Sequence, residues 1–308
     1  MLRVVRAATL ETTVEYHGHT SRVTALVFTP DGRGLVSISD DRTAKVWDVP
    51  GVREPRLVEA DEFKTFAVAY SPNGRLLASG GADGVVRITD LTAVDESAKP
   101  RELRGHGAAV RVVRFVNDDK ILTGAEDNTA RLWDLKDGKE LRSWPHDAWV
   151  QDLVVVPHHG MFFTADANGV IRRFATEGPA TVTPERKWQG HDSAIHAIAA
   201  DSRPRDYRWA LLATAARGGS VKLCSISGEP IATLIADHEV VSLSFSPDGK
   251  TLAGGDDSGN VTLWDVAAQT VRIRCAAIVA ESTAWRSRPT VARWPRPPEV
   301  VGCRPAAK

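Results

Sequence analysis

An internal repeat limits this chain to a small set of folds. Segments 23–48, 66–90, 110–134 and 241–265 resemble one another along their length, and each closes on an aspartate. Two weaker copies lie between the third and the fourth segment. The closing position holds, in chain order, Trp47, Thr89, Trp133, Phe174, Cys224 and Trp264. These positions are 40 to 50 residues apart, and such a period indicates a fold assembled from copies of one supersecondary unit.

Within a copy, the residues indicate strands joined by tight turns. An alternating run rich in β-branched residues, such as residues 23–28, is typical of a strand. A Pro-Asp-Gly or Pro-Asn-Gly turn follows at 30–32, 72–74 and 247–249; proline fixes φ there, and glycine accepts a positive φ. A strand of small residues (35–39), an Asp-rich turn and a strand ending in Trp-Asp complete the unit. Helical spacing is absent from the copies, so the chain is predicted to be all-β.

The order of these motifs resembles the WD-repeat (WD40) family of β-propellers. Gly-His, Pro-Asp-Gly and Trp-Asp recur in order and in register from about residue 12 to 275, most of the chain. The resemblance implies a β-propeller of four-stranded antiparallel blades. Six repeats are recognisable, near 18–49, 60–91, 105–135, 145–175, 190–225 and 236–266.

The two ends of the chain determine how a ring of such blades would close. In the family, a segment like the one ending at Tyr16 is the outer strand of the last blade, whereas residues 269–274 give the sixth repeat an outer strand of its own. A seven-bladed plan with an incomplete last blade is therefore predicted. The domains are an N-terminal lead (1–11), the propeller (12–274) and a degenerate or frameshifted tail (275–308) in place of blade seven. Reading the gene in three frames past residue 280 tests the frameshift.

Two repeats hold polar residues that look like a catalytic triad. In the WD-repeat family these positions form a structural hydrogen-bond network: the tryptophan indole donates to the hydroxyl, the hydroxyl bonds to the histidine, and the turn aspartate holds the histidine. Recurrence favours the structural interpretation, because catalysis needs one site whereas architecture needs one set in each blade. The sets are His19, Ser37, Asp41 and Trp47, and His106, Thr123, Asp127 and Trp133.

The other four repeats depart from this set, which puts the rigidity of those blades in question. The corresponding residues are Asp61, Ser79, Asp83 and Thr89; His146, Thr164, Asn168 and Phe174; His191, Thr214, Gly218 and Cys224; and Gly254, Ser258 and Trp264.

Composition and motifs argue against several classes of function. Lysine plus arginine and aspartate plus glutamate both number 39, so no overall basic field attracts nucleic acid or anionic lipid. The cysteines, Cys224, Cys275 and Cys303, fit neither a disulfide framework nor a zinc site.

No phosphate-binding loop or nucleophile elbow is present, and His158 and His159 are interpreted as an exposed turn. We expect no catalysis, metal, cofactor, small-molecule substrate or membrane association; without a signal peptide or an apolar run of roughly 18 residues, a cytoplasmic location is predicted.

The resemblance implies that partner proteins bind on one face, formed by the loops before each first strand and by the aspartate-bearing turns. Exposed tryptophan and arginine are frequent interface hot spots, so Trp149 is the first candidate; packing of Trp149 between blades four and five is the alternative. A second contact is predicted at the insertion 201–209. The register assigns Arg22, Lys64, Trp149 and Glu239 to the loops and Asp40, Arg42, Glu126 and Arg217 to the turns.

The predicted function is a non-catalytic scaffold for protein–protein interaction. Two alternatives stay open: the docking or sensory half of a multidomain signalling protein, and a propeller enzyme with its site in the central channel. An enzyme would need channel-facing histidines or carboxylates from several blades, whereas most histidines here fall at the Gly-His position or in turns.

Overall fold

Six four-stranded antiparallel sheets follow one another along the chain, each formed by four consecutive strands. The computed structural model describes residues 2–5, 12–21, 23–28, 33–48, 56–60, 64–93, 99–177, 183–201 and 210–276. Blades one to three comprise β3 to β14: Val23–Phe28, Gly34–Ser39, Thr43–Asp48 and Arg56–Ala60; Thr65–Tyr70, Leu76–Gly81, Val86–Asp90 and Arg101–Leu103; Val110–Phe115, Lys120–Ala125, Thr129–Asp134 and Glu140–Pro145.

Blades four to six comprise the remaining strands, β15 to β26. They are Val150–Val156, Met161–Asp166, Val170–Ala175 and Arg186–Gln189; Ile195–Ala200, Leu211–Ala216, Ser220–Ser225 and Pro230–Ile235; Val240–Phe245, Thr251–Asp256, Asn260–Asp265 and Thr270–Ala276. A short 3-10 helix, Pro157–His159, joins β15 to β16. A separate two-stranded sheet pairs β1 (Leu2–Val5) with β2 (Thr12–Tyr16).

The first strand of every blade carries the same irregularity. Its pairing with the second strand shifts after the opening residue, as between Val110 and Val112 in β11 and between Val150 and Asp152 in β15. The same shift occurs in the other four blades. A bulge at this point increases the local twist of the strand, and its recurrence shows that the six blades are copies of one unit in three dimensions as well as in sequence.

The hydrophobic core lies between blades. Each of five clusters of buried hydrophobic residues draws its members from two successive blades, so each blade is stabilised by its neighbour. Pairs that share a cluster are Val36 with Val68, Val86 with Val113, Leu122 with Leu153, Ile171 with Ile198 and Leu223 with Leu252. Among the described residues, no such cluster joins blade six to blade one.

The first strand of blade one shows the consequence. Leu26 in β3 is 52% exposed. Residues at the same register in the next four blades, Val68, Val113, Leu153 and Ile198, are all buried, because the preceding blade packs against them. The flank of blade one that faces away from blade two is therefore uncovered by the described part of the chain.

The seven-bladed plan predicted from the sequence is wrong: the described residues form six blades, each with four strands. β2, predicted to be the outer strand of a last blade, pairs instead with β1 inside the predicted N-terminal lead, and blade six has four strands of its own, ending with β26. The alternation of residues 12–16 is correct for a strand but does not identify which strand it pairs with. The predicted tail beyond residue 276 lies outside the described residues.

We expect Gly124→Ala to lower the free energy of unfolding by about 1–3 kcal/mol, the usual cost of overpacking a core. A Cβ at Gly124 would lie 2.5 Å from Cγ1 of Val150, in the first strand of the next blade. Chemical denaturation measures the change.

Gly255→Ala is the matched control. Gly255 lies at the same register in blade six, where a Cβ would meet only Ser242, at 4.0 Å. We expect a change close to zero, and a cost equal to that of Gly124→Ala would show that this flank of blade six is covered.

Candidate functional site

The polar network of blade one is a chain of hydrogen bonds. The indole Nε1 of Trp47 donates to Ser37 Oγ at 2.7 Å. Ser37 Oγ lies 2.6 Å from His19 Nε2, and His19 Nδ1 lies 2.8 Å from Asp41 Oδ2. If Nδ1 carries the imidazole proton, every group is satisfied: indole to hydroxyl, hydroxyl to Nε2, and Nδ1 to carboxylate.

Blade three repeats this geometry. Trp133 Nε1 donates to Thr123 Oγ1 at 2.9 Å, Thr123 Oγ1 lies 2.7 Å from His106 Nε2, and His106 Nδ1 lies 2.8 Å from Asp127 Oδ2. The hydroxyls of Ser37 and Thr123 belong to fully buried residues. A hydroxyl that is shielded from solvent and bonded to both an indole and an imidazole is a poor nucleophile. The hydrogen bonds instead connect the loop histidine to the second and third strands of its own blade.

The turn aspartates are held as carboxylates. Burial raises the pKa of Asp41, but hydrogen bonds from the Thr43 hydroxyl, the Thr20 amide and His19 outweigh burial and hold that pKa well below its usual range. Burial lowers the pKa of His106 more than the hydrogen bond to Asp127 raises it. A neutral imidazole beside an ionised aspartate is the stable state.

Blades two and four have ion pairs beside their incomplete networks. In blade two, Asp83 pairs with Arg87 at 2.7 Å, while Asp61 lies outside the described residues. In blade four, Arg172, only 3% exposed, pairs with the fully buried Asp166 and with Asp147, the latter at 2.6 Å. Blade three has the corresponding pair, Arg131 with Asp127 at 3.5 Å, beside its complete network, so an arginine at this register accompanies the network and does not replace it.

The closing position differs between blades four and six. In blade four, Phe174 stacks on Phe162 with ring centroids 5.1 Å apart, and His146 keeps its bond to the Thr164 hydroxyl at 2.7 Å. In blade six, Trp264 is buried but its Nε1 has no hydrogen-bond partner, because Gly254 occupies the position of Ser37 and offers no hydroxyl.

A repeated backbone contact places the predicted binding residues on one face. The carbonyl of the residue before each first strand accepts the amide of a residue in the turn between the second and third strands, at 2.7–3.1 Å. We call these residues, with Asp40 and Arg42 of blade one, the upper face. The pairs are Lys64 with Ala82, Ala109 with Glu126, Trp149 with Ala167, Ala194 with Arg217, and Glu239 with Asp257.

Trp149 is the largest side chain of the upper face. It is 48% exposed, whereas Trp144, five residues earlier, is 1% exposed. Its backbone partner is Ala167, whose small side chain leaves the indole open. In blades two to five each pair joins one large side chain to an alanine, so that Lys64, Glu126, Trp149 and Arg217 are each paired with a residue too small to cover them.

The upper face carries charges of both signs in the blades other than blade four. Lys64 pairs with Asp40 at 3.4 Å, Arg111 with Glu126 at 3.7 Å, and Glu239 with His196 at 2.8 Å. Arg42 and Arg217 are exposed. Exposed pairs of this kind are worth little energetically, so their charges are available to a partner. Arg22 and residues 202–209 of the predicted second contact lie outside the described residues.

The upper face surrounds the mouth of a central cavity of about 480 Å³, lined by first strands of all six blades. Asp152, a carboxylate of its wall, pairs with Arg114 at 3.2 Å and accepts the amide of Ile198 at 3.0 Å. Burial raises the pKa of Asp152. These contacts link blades three, four and five. Within the described residues, no three histidine, cysteine or carboxylate side chains group to bind a metal, and no helix is long and apolar enough to cross a membrane.

Comparison with known proteins agrees with this geometry. The family model described as "WD domain, G-beta repeat" (WD40) matches residues 10–48, 62–90, 98–134 and 228–265, which cover blades one, two, three and six. The chain belongs to the WD40 repeat family. Blade four and the first three strands of blade five fall outside the matched segments, and the closing residues of these blades are Phe174 and Cys224 instead of tryptophan.

The chain is also similar in sequence or in structure to individual proteins. The serine-threonine kinase receptor-associated proteins of Mus musculus and Homo sapiens are each 26% identical over 273 residues, which cover 80% of this chain and 67% of theirs. The crystal structure of the WD40 beta propeller domain of Doa1 aligns with a TM-score of 0.73 and 21% identity, over 85% of this chain and 84% of that one. This structural likeness concerns the fold alone.

For the network of blade one, we expect Asp41→Ala to cost about 1–3 kcal/mol of unfolding free energy, because it leaves buried donors without an acceptor. Asp40→Ala, one residue earlier, removes only the partly exposed pair with Lys64 and is the control. Denaturation curves compare the two, and equal midpoints for Asp41→Ala and the unmodified protein would refute the structural role.

The buried histidines make stability depend on pH. Burial and the nearby Arg172 lower the pKa of His146 from 6.5 to about 4. Burial and the nearby Lys222 lower the pKa of His191 from 6.5 to about 4. Below about pH 6.5 the unfolded chain takes up protons that the folded chain does not, so stability falls as the pH drops towards 4. We expect His191→Gln to reduce this slope, measured as the unfolding midpoint against pH; identical slopes would contradict it.

Proposed function

We propose that this WD40 propeller is a non-catalytic scaffold that binds other proteins through its upper face. The observation that carries the proposal is Trp149, a tryptophan of the upper face that is 48% exposed and whose backbone carbonyl accepts the amide of Ala167. Leaving a large aromatic surface in water is unfavourable, and tryptophan is among the residues that contribute most to protein interfaces.

The surroundings of Trp149 indicate the chemistry of the partner. Positive charges of Lys64, Arg42 and Arg217 alternate around the face with negative charges of Asp40, Glu126 and Glu239. A mixed pattern suits a protein segment with charges of both signs around one apolar side chain, and it does not suit a uniformly charged polymer.

Two further points support a scaffold over an enzyme. The hydroxyls that resemble nucleophiles, Ser37 and Thr123, are buried and bonded within the blades. The mouse and human relatives are named for association with a serine-threonine kinase receptor. We extend association with proteins, and not that receptor, to this chain.

Affinity capture with the full chain tests the proposal, with the partner identified by mass spectrometry and its affinity then measured. We expect Trp149→Ala to weaken binding about 30-fold or more, as loss of a hot spot does, and Arg217→Ala to weaken it less. Both side chains are exposed, so the fold should be unaffected.

Leu141→Ala is the matched control, because Leu141 is an apolar residue of an outer strand, β14, with an exposure (47%) that matches that of Trp149. Its neighbour Glu140 pairs with Trp133, at the end of the blade away from the turn that carries Glu126. Binding by Leu141→Ala should equal that of the unmodified protein. Equal binding by Trp149→Ala would place the interface elsewhere, and capture of no protein would contradict the scaffold.

A further inference from the structure

Blades one and three show what normally fills the closing position of a blade. The indoles of Trp47 and Trp133 are buried and lie beneath the glycine of the Gly-His pair: a Cβ at Gly18 would be 3.2 Å from Cη2 of Trp47, and one at Gly105 would be 2.9 Å from Cη2 of Trp133. Each indole donates to the hydroxyl of the second strand. The position is therefore shaped for a two-ring aromatic group with one N–H donor.

Blade five keeps the rest of this arrangement without the indole. Cys224 pairs with Leu212 in the register in which Trp47 pairs with Leu35. The hydroxyl of Thr214, a residue 1% exposed, keeps its bond to His191 Nε2 at 2.9 Å. Cys224 has no N–H to donate, so the hydroxyl lacks the bond that the indole makes in blades one and three.

The volume of the missing ring is not recovered by neighbouring side chains. At the closing position of blade four, Phe174 packs with Phe162 and with Trp144 of the outer strand of blade three. At the closing position of blade five, the corresponding residues are Cys224, Leu212 and Trp188 of the outer strand of blade four, and Trp188 forms a wall of the space that remains. A cleft of about 400 Å³ remains. An apolar cavity of roughly 150 Å³ already holds a benzene ring, so this cleft is large enough for an indole.

The cleft opens to solvent between blades four and five. Ile171 and Trp188 of blade four form one wall, and the other includes Cys224 and the partly exposed Ile231 of blade five. Thr214 also lines it. Burial raises the pKa of the Cys224 thiol to about 12, so the thiol is neutral and adds apolar surface to the wall. Aromatic and aliphatic walls around one hydroxyl acceptor are typical of a small-molecule site.

We propose that this cleft binds an indole ring, with the ring N–H donating to Thr214 Oγ1 as Trp47 and Trp133 donate to Ser37 and Thr123. None of the upper-face residues lines the cleft, so the proposal does not rest on the proposed scaffold function. The ring is either free indole or the side chain of a tryptophan in a peptide.

Calorimetric titration of the full chain with indole tests the proposal. We expect saturable binding at one site, and binding of 1-methylindole about 5- to 10-fold weaker, because methylation removes the N–H donor. Thr214→Val should weaken indole to the same extent and leave 1-methylindole unchanged. That loss of discrimination would not arise from general damage to the fold.

Cys224→Trp places the ring inside the cleft. We expect it to abolish indole binding and to raise the melting midpoint, because it refills the cavity and restores the hydrogen bond to Thr214. Cys224→Phe, which copies Phe174 of blade four, is the second variant if the tryptophan does not fold, and it should also block binding. Trp149→Ala should bind indole as the unmodified protein does.

A parallel titration with N-acetyltryptophanamide separates the two sources. Binding of this compound together with indole would indicate a peptide tryptophan, and binding of indole alone would indicate a small molecule; both results support the site. Absence of saturable indole binding, or indole binding that survives Cys224→Trp and Cys224→Phe, would overturn it.

Discussion

Contact between the second strand of one blade and the first strand of the next is the interaction on which the remaining structure depends. At one register, blades two to five carry a small residue that receives a β-branched residue of the following blade. The pairs are Gly80 with Val110, Gly124 with Val150, Ala165 with Ile195 and Ala215 with Val240. Blade one departs from this pattern: Ile38 occupies the register, and the next blade begins with Thr65.

Because the core lies between blades, the polar networks within blades can diverge. Blades one and three keep the full set of hydrogen bonds, blade four has Phe174 stacked on Phe162 in place of the indole, and blade six keeps a buried indole without an acceptor. A buried donor without a partner costs free energy. In blade six the ring that carries this donor, Trp264, still packs with Leu252 in a shared hydrophobic cluster. Divergence of this kind creates local differences between blades, and the cleft at Cys224 is one of them.

The features that could be predicted from the sequence are those that repeat and are local. The strand 23–28 and the turn positions follow from alternation and turn chemistry, and the resemblance to the WD-repeat family implies the residues of the two networks. The number of blades did not, because residues 12–16 have the pattern of a strand but carry no information about its partner. The ion pair of Arg172 with Asp166 and the cleft beside Cys224 depend on side chains brought together from different strands and blades, so no single repeat reveals them. The substitution of Cys224 for tryptophan was visible in the sequence; the volume that it leaves was not.

Amide hydrogen exchange tests most directly whether packing between blades holds the fold together. β11 is covered by blades two and four, whereas β3 is covered on one flank only among the described residues. Both strands make the same ladder with their own second strand, so they differ chiefly in coverage. We expect the amides of β11 to exchange at least about tenfold more slowly than those of β3, since exchange follows local opening free energy. Equal protection of the two strands would contradict the account.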